Sequence, residues 1–283
     1  MPADFVKWRI LRFRVDARSP APYNSLMLPD DRKESRADRE VAHGIRLAAA
    51  DAELAWGWGS PAGKRRAARR ADLIADAAGM GPRSRVLEVG CGTGLFTAFF
   101  AARGSRIVAL DLSGQLLQKA RERCLPPSQV QLMETALEEF PAGDSFDAVI
   151  GSSVLHHLDI PPSLEKIFGL LRPGGMMAFA EPNMLNPQVF SERKFRRWFR
   201  RVSPDETAFV RWQLKNALCR SGFERVRIVP FDWLHPATPA KLVPLVQGIG
   251  RFMEKIPGIR EFSGSLLISA RRPLPGDPLF PAK

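Results

Sequence analysis

From Arg85 onward, short apolar runs alternate with stretches in which apolar residues recur every three or four positions. A continuous apolar run suits a strand covered on both faces, and the second pattern suits a helix buried along one stripe. The spacing predicts strands over Arg85–Val89, Arg106–Leu110, Val130–Met133, Phe146–Ile150 and Met176–Ala180. It predicts helices over Leu95–Ala102, Gln115–Cys124 and Ser163–Leu171. Strands that alternate with helices form right-handed crossover units, so the expected class is α/β with a mostly parallel sheet covered on both sides.

The flanks complete this outline. Pro61 opens a predicted helix that Gly79 can stop. Ser203-Pro204-Asp205-Glu206 reads as a capping box opening a helix to about Ser221, and Glu224–Val229 and Ser265–Ala270 read as two more strands. Between those strands, prolines 236, 239, 244 and 257 surround one helical stretch, which marks about 235–262 as an insertion or lid. Residues 1–50 are expected to form an N-terminal extension, with a helix from about Ser35 to Trp56. Residues 51–272 are the expected domain, and 273–283 a tail.

Composition is that of a packed protein: 45% of the 283 residues are hydrophobic and 25% charged. No apolar run approaches bilayer length, and Met1–Arg18 lacks the apolar stretch of a secretory signal, so the expectation is a cytoplasmic protein. Cys91, Cys124 and Cys219 have neither metal nor redox spacing, which argues against a metal site, and all three are expected to pack as small apolar residues. The net charge of +12 admits nucleic acid, anionic lipid or an acidic substrate, and does not choose between them.

The chemistry sits in Val86-Leu87-Glu88-Val89-Gly90-Cys91-Gly92-Thr93-Gly94, where a strand runs into three alternating glycines ahead of a helix. Glycines let the backbone turn sharply and approach a ligand, and the crevice beyond the carboxyl ends of such strands is where α/β sheets bind ligands. The dinucleotide spacing G-x-G-x-x-G fails, because its last position falls on Leu95 from Gly90 and on Thr97 from Gly92. No Gly-Lys-Ser/Thr follows, which excludes a P-loop. One strand later, Asp111 is placed to accept hydrogen bonds from ribose hydroxyls.

Glu88 to Gly94 resembles the first motif of the class I S-adenosylmethionine-dependent methyltransferases, and Asp111 resembles their ribose-binding acid. Ser145–Ile150, Leu155-His156-His157-Leu158 and Leu170–Gly175 resemble their fourth strand, the segment after it and the turn into the fifth strand. The resemblance covers about Ala71 to Pro182. It implies a Rossmann-like, doubly wound, mostly parallel seven-stranded sheet with an antiparallel last strand, and S-adenosyl-L-methionine as the cofactor. By the same resemblance, Gly90, Cys91, Gly92 and Gly94 would line the methionine end, with Glu88 holding the amino group. Asp111 would hold the ribose and Leu112 would pack on the adenine, and Ser152 would shape the pocket. Many members carry an Asp after the third strand; here Met133-Glu134-Thr135-Ala136-Leu137 stands there. An offset Glu134, Thr135 in its place, or the backbone of Ala136 and Leu137 are the alternatives for the adenine contacts.

Methyl transfer from a sulfonium is an in-line displacement, so the protein must chiefly align donor and acceptor, and a base helps only when the nucleophile must shed a proton. His156 and His157 are the candidate bases, set against a purely packing or capping role. Glu181 and Asn183 are candidates to orient an acceptor, set against a simple turn. Lys64–Arg70 holds five cations in seven residues and reads mostly as a solvated helix face, with anion binding as the alternative. Trp56-Gly57-Trp58-Gly59 is either a hinge over the cofactor or a buried anchor.

Arg193–Arg201 interleaves aromatic and basic residues and suits an anionic membrane surface or a nucleic acid, against the reading of an ordinary surface helix. With Leu242–Val246 and Phe252-Met253 it suggests a hydrophobic acceptor. The leading expectation is methyl transfer to a small-molecule or lipid-like acceptor, with peripheral contact to an anionic membrane. The alternatives are an RNA or protein methyltransferase that uses its basic helices, and a non-catalytic cofactor-binding or membrane-surface protein. Nucleic acid ranks lower because no RNA-binding module is appended. The Asn/Asp-Pro-Pro-Tyr/Phe motif of many amino-group methylating enzymes is also missing, since Gly151-Ser152-Ser153-Val154 stands in its place.

Overall fold

A computed structural model describes residues 36–49, 51–143, 145–194 and 208–276. Seven strands form one sheet: β1 (Arg85–Val89), β2 (Arg106–Asp111), β3 (Val130–Glu134), β4 (Phe146–Ser152), β5 (Leu171–Pro182), β6 (Glu224–Phe231) and β7 (Ser265–Arg271). Their order is β3-β2-β1-β4-β5-β7-β6. The first five pair in parallel, and β7 runs antiparallel to both β5 and β6. This is the Rossmann-like arrangement expected, with its antiparallel ending.

The apolar runs are explained by burial on both faces. Val86, Ala148 and Ala178 belong to one core, and their chain neighbours Leu87, Val149, Met177 and Phe179 supply the other. The helices α3 (Pro61–Ala77) and α4 (Leu95–Ala101) close the first core through Ile74, Phe96 and Phe100. The helices α6 (Ile160–Leu170) and α8 (Arg211–Arg220) close the second through Leu164, Ile167, Leu214 and Leu218. Between β2 and β3 lies α5 (Gly114–Arg121), capped by Ser113, whose side chain accepts from the Leu116 N–H.

The departures from expectation are local. The predicted helix from Ser35 to Trp56 is two helices, α1 (Arg36–Ala49) and α2 (Ala52–Ala55). Asp51 adopts an extended conformation and caps α2 by accepting from the Leu54 N–H at 3.0 Å, which restarts the chain there. The first of these helices packs on α5 so closely that a Cβ on Gly44 would lie 2.7 Å from Ser113 Cβ. The Ser203 capping box, the segment 195–201, His43's side chain, residues 1–35 and residues 277–283 lie outside the described residues. Helix does not reach back through Ala208–Val210: Phe209 instead bridges to Asn183, and α8 starts at Arg211.

The helix α7 (Pro187–Lys194) was not foreseen. Asn186 accepts from the N–H groups of Gln188 and Val189, and Pro187 fills the first helical position. Within 235–262 lie α9 (Val243–Met253) and short 3₁₀ turns at Ala240–Leu242 and Ile259–Phe262. Only Cys91 is buried; Cys124 and Cys219 are exposed, against the expectation that all three pack inward. Their positions near helix ends on the surface leave no core for them to enter.

Candidate functional site

Register brings the strand tips level. Val89 pairs with Leu110 on one side and Gly151 on the other, and Ser152 pairs with Ala180. The carboxyl ends of β2, β1, β4 and β5 therefore open on one crevice, and most of the sequence-predicted residues gather there.

The glycine loop is shaped by positive φ angles: +68° at Gly90, +54° at Gly92 and +73° at Gly94, the cap of α4. At Gly90 a Cβ would lie 2.5 Å from Val154 Cγ2, so any side chain would collide with the loop after β4. At Gly92 a Cβ would lie 3.2 Å from the ring of Trp56. The backbone thus runs bare between two walls. Cys91 is buried, its N–H donating to Leu110 O at 2.9 Å, and burial pushes its thiol up.

Two carboxylates stand at this turn. Glu88 is 2% exposed, and burial pushes it up to about 8 from its ordinary 4.5; the nearby Thr97 hydroxyl opposes this, and Asp111 adds to it. Its Oε2 is buried with no partner. A buried polar atom left unpaired is costly, so such an atom at a crevice marks a place for a donor. Asp111 accepts the Gly92 N–H on Oδ2 at 2.7 Å and the Ser113 N–H on Oδ1 at 2.9 Å. Burial raises it, while those two N–H groups, His157 and Leu112 pull the other way. Each oxygen keeps a second lone pair.

The other predicted contacts divide. Leu112 is half-buried beside Asp111. The Thr135 N–H donates to Asp111 O at 3.1 Å, so the backbone of Thr135 lies beside the tip of β2. Leu137 is buried in the core. Glu134 is drawn to the start of α5, where its carboxylate would touch a Cβ on Gly114 at 2.8 Å. Ser152 accepts from Arg70 Nε at 2.9 Å.

His156 and Glu181 form a buried pair, 4% and 0% exposed, with His156 Nδ1 2.6 Å from Glu181 Oε2. Glu181 Oε1 accepts the N–H groups of Val154 at 3.0 Å and Leu155 at 2.9 Å. Burial pushes Glu181 up, but His156 and those N–H groups outweigh it and hold the carboxyl below its ordinary value. The ring of His157 lies 4.2 Å from that of His156. Asn183 donates to Glu261 O and Ser263 O, both at 2.8 Å, and so ties the end of β5 to the turn before β7.

Sequence reasoning missed two features. One is Arg70, 3% exposed, which reaches from α3 to Ser152, Ser153, Ser265 and Ala180 O. Burial lowers it to about 10, with Glu181 and Asp232 acting against that, so it stays charged. Its neighbours Arg66 and Arg69 pair with Asp232 and Glu254. Three of the five cations therefore turn inward, and only Lys64 and Arg65 are exposed, which corrects the solvated-face reading. The other feature is a latch over the glycine loop. Glu53 of α2 accepts from Thr93 Oγ1 at 2.9 Å and pairs with Arg123. Trp58 is buried edge-on against Phe96 at 5.5 Å, and Trp56 walls the loop, so the two tryptophans divide the anchor and cover roles. Nothing local in the sequence signals Glu53.

Residues 86–175 match the model of a family described as a methyltransferase domain. Nodulation protein S of Rhizobium tropici is 28% identical over 124 residues, 42% of this chain and 52% of that protein. The ubiquinone biosynthesis O-methyltransferase of Xanthomonas campestris is 35% identical over 116 residues, 39% of this chain and 47% of that protein. The chain thus spans about half the length of these curated relatives. Among solved structures, the N-methyltransferase NodS of Bradyrhizobium japonicum in complex with S-adenosyl-l-homocysteine matches 83% of this chain and all of its own at 19% identity, with a TM-score of 0.56. At that identity the likeness is one of fold.

Proposed function

We propose that this chain, whose residues 86–175 match a family described as a methyltransferase domain, is a class I S-adenosylmethionine-dependent methyltransferase that moves the methyl group to a small-molecule or lipid-like acceptor. The observation that carries the cofactor assignment is Glu88: a buried carboxylate oxygen without a partner, beside a turn that no side chain can enter. Those are the needs of a ligand with a cationic amine at one end.

Glu88 would take the amino group, and Gly90 and Gly92 would line the methionine end. Asp111 would accept the ribose hydroxyls on its remaining lone pairs, its orientation fixed by the Gly92 and Ser113 N–H groups. The backbone of Thr135 and Ala136 and the side chain of Leu112 would face the adenine. The bound sulfonium supplies an activated methyl and its own leaving group. What the chain adds is alignment and dryness. Trp56, held by the Glu53–Thr93–Arg123 latch, covers the loop and excludes water.

For a hydroxyl or amine acceptor, His156 is the base. Glu181 is ionised and can only accept, so Nδ1 of His156 carries the proton between them and the ring is fixed in place. In the neutral ring the basic lone pair is then on Nε2. Glu181 is a positioning residue. Beyond the carboxyl end of β5, Asn186 donates to Phe262 O at 2.8 Å, and Phe190 and Phe262 are exposed. Exposed aromatic rings at that end favour a hydrophobic acceptor. The inward pairing of Arg66, Arg69 and Arg70 removes most of the cations a polyanionic substrate would need from α3.

Labelled-methyl transfer into separated lipids, small molecules, RNA and protein tests the reading. Label in a lipid or small-molecule fraction is expected, and label confined to RNA or protein refutes the acceptor class. Calorimetry with S-adenosylhomocysteine tests the cofactor: binding is expected, weakened at least about tenfold in Asp111→Ala by loss of a charge-assisted acceptor. No binding, or equal binding in the variant, refutes it.

A further inference from the structure

The helix α9 is covered on one side only. Val243 and Val246 pack with Ala62 and Leu234, and Gly250 lies so close to Trp233 that a Cβ would meet its Cβ at 2.9 Å. On the other side, Leu242, Leu245, Ile249 and Phe252 follow each other at helical spacing and are 48%, 62%, 51% and 65% exposed. Ile259, on the turn that follows, continues the exposed apolar surface.

Among the described residues of 235–262, the exposed Lys, Arg, Asp and Glu side chains are of one sign. Lys241, Arg251 and Lys255 are exposed beside it. Both acids of the segment are turned away: Glu254 pairs with Arg69, and Glu261 with Arg211. An exposed helix with large apolar side chains on one stripe and only cations beside it fits the interface of an anionic bilayer, where the apolar stripe enters the acyl boundary and the cations stay among the headgroups. Two copies of this chain would fit worse, since pairing these faces would bring like cations together on molecules that each carry a net +12.

We infer that this face of α9 and the Ile259 turn dock the protein on anionic lipid membranes. None of these five apolar side chains has a role in the crevice, so the contact does not depend on the methyl-transfer reading.

The test is flotation of the full chain with vesicles of phosphatidylcholine alone and of phosphatidylcholine mixed with phosphatidylglycerol. Co-flotation with the anionic vesicles, weakened by salt, is expected. Leu245→Asp with Phe252→Asp should reduce it by more than about tenfold. Lys241→Gln and Lys255→Gln should each reduce it about fivefold. A control, Lys64→Glu with Arg65→Glu, lowers the net charge elsewhere on the surface and should change it little. S-adenosylhomocysteine calorimetry on each variant reports whether the crevice is still formed. If the double aspartate variant does not fold, the two lysine substitutions decide. The inference is overturned if the parent floats with neither vesicle, if the α9 variants float as well as the parent, or if the control loses as much as they do. It is also overturned if the face mediates dimers that the aspartate variant disperses while the parent ignores lipid.

Discussion

Replacing Glu88 by glutamine should stabilise the protein and weaken its hold on S-adenosylhomocysteine, two effects of opposite sign from one atom. Burial raises Glu88 from 4.5 to about 8. Between those values the folded chain holds a proton that the unfolded chain releases, so stability falls as pH rises from about 4.5 to about 8. At pH 7 the penalty is on the order of 3 kcal/mol, from 1.36 kcal/mol per unit over the 2.5 units above 4.5. Glutamine never titrates and escapes that penalty, so Glu88→Gln should melt several degrees higher at pH 7, and the gain should vanish near pH 4.5.

The ligand's ammonium would favour the ionised carboxylate. At pH 7 a group titrating near 8 is about nine-tenths protonated, so binding should release close to one proton there and almost none at pH 9. Calorimetry in buffers of different ionisation heat measures that number directly. Affinity in the variant should fall about 10- to 150-fold, the worth of a charged hydrogen bond. A binding heat at pH 7 that does not depend on buffer, or a variant that binds as tightly as the parent, would refute the assignment of Glu88 to the amino group.

Gly90→Ala should be destabilised by roughly 1–3 kcal/mol in urea titrations and should lose ligand affinity, because φ is +68° and the new methyl meets Val154; an unchanged midpoint would show the turn to be tolerant. Glu181, held below its ordinary 4.5, contributes stability above that pH that is lost as pH falls through its lowered value. Glu181→Gln should therefore be less stable at pH 7 and show a flatter acid limb in pH-dependent melts, and a parallel limb would sink this account. In transfer to a hydroxyl or amine acceptor it should also shift the pH profile of kcat, which a merely structural role would leave in place. Arg70→Met strands the acceptors Ser152, Ser153 and Ala180 O and should lose about 3 kcal/mol, against less than about 0.5 for Lys64→Ala, by thermal melts.

The fold was legible because its strands are buried on both faces and so leave unbroken apolar runs, of which Val86–Val89 and Ala148–Ile150 are examples. The glycine loop and Asp111 were legible because backbone chemistry demands those residue types at those places. What could not be read depends on contacts across the fold. Arg70 lies in a run of cations indistinguishable from a solvated face until Ser265, 195 positions later, comes to meet it. His156 and Glu181 were separate candidates, and only the register of β4 on β5 makes them a pair. The helix α7 was hidden behind the turn considered for Glu181 and Asn183, although Asn186-Pro187 is a capping signal.

The strand β7 comes last in chain order but is not at the margin of the sheet: it lies between β5 and β6. Until Ser265–Arg271 leaves the ribosome, the inner edge of β5 and the whole of β6 have no partner. Two ladders of N–H and C=O groups then wait open on the nascent chain, and exposed edges invite pairing with other chains. Synthesis at about 5–20 residues per second makes that interval a matter of seconds, counted from the completion of β5 to the arrival of β7. The late strand is a keystone, and translation speed through the 235–262 segment sets how long the arch stands without it.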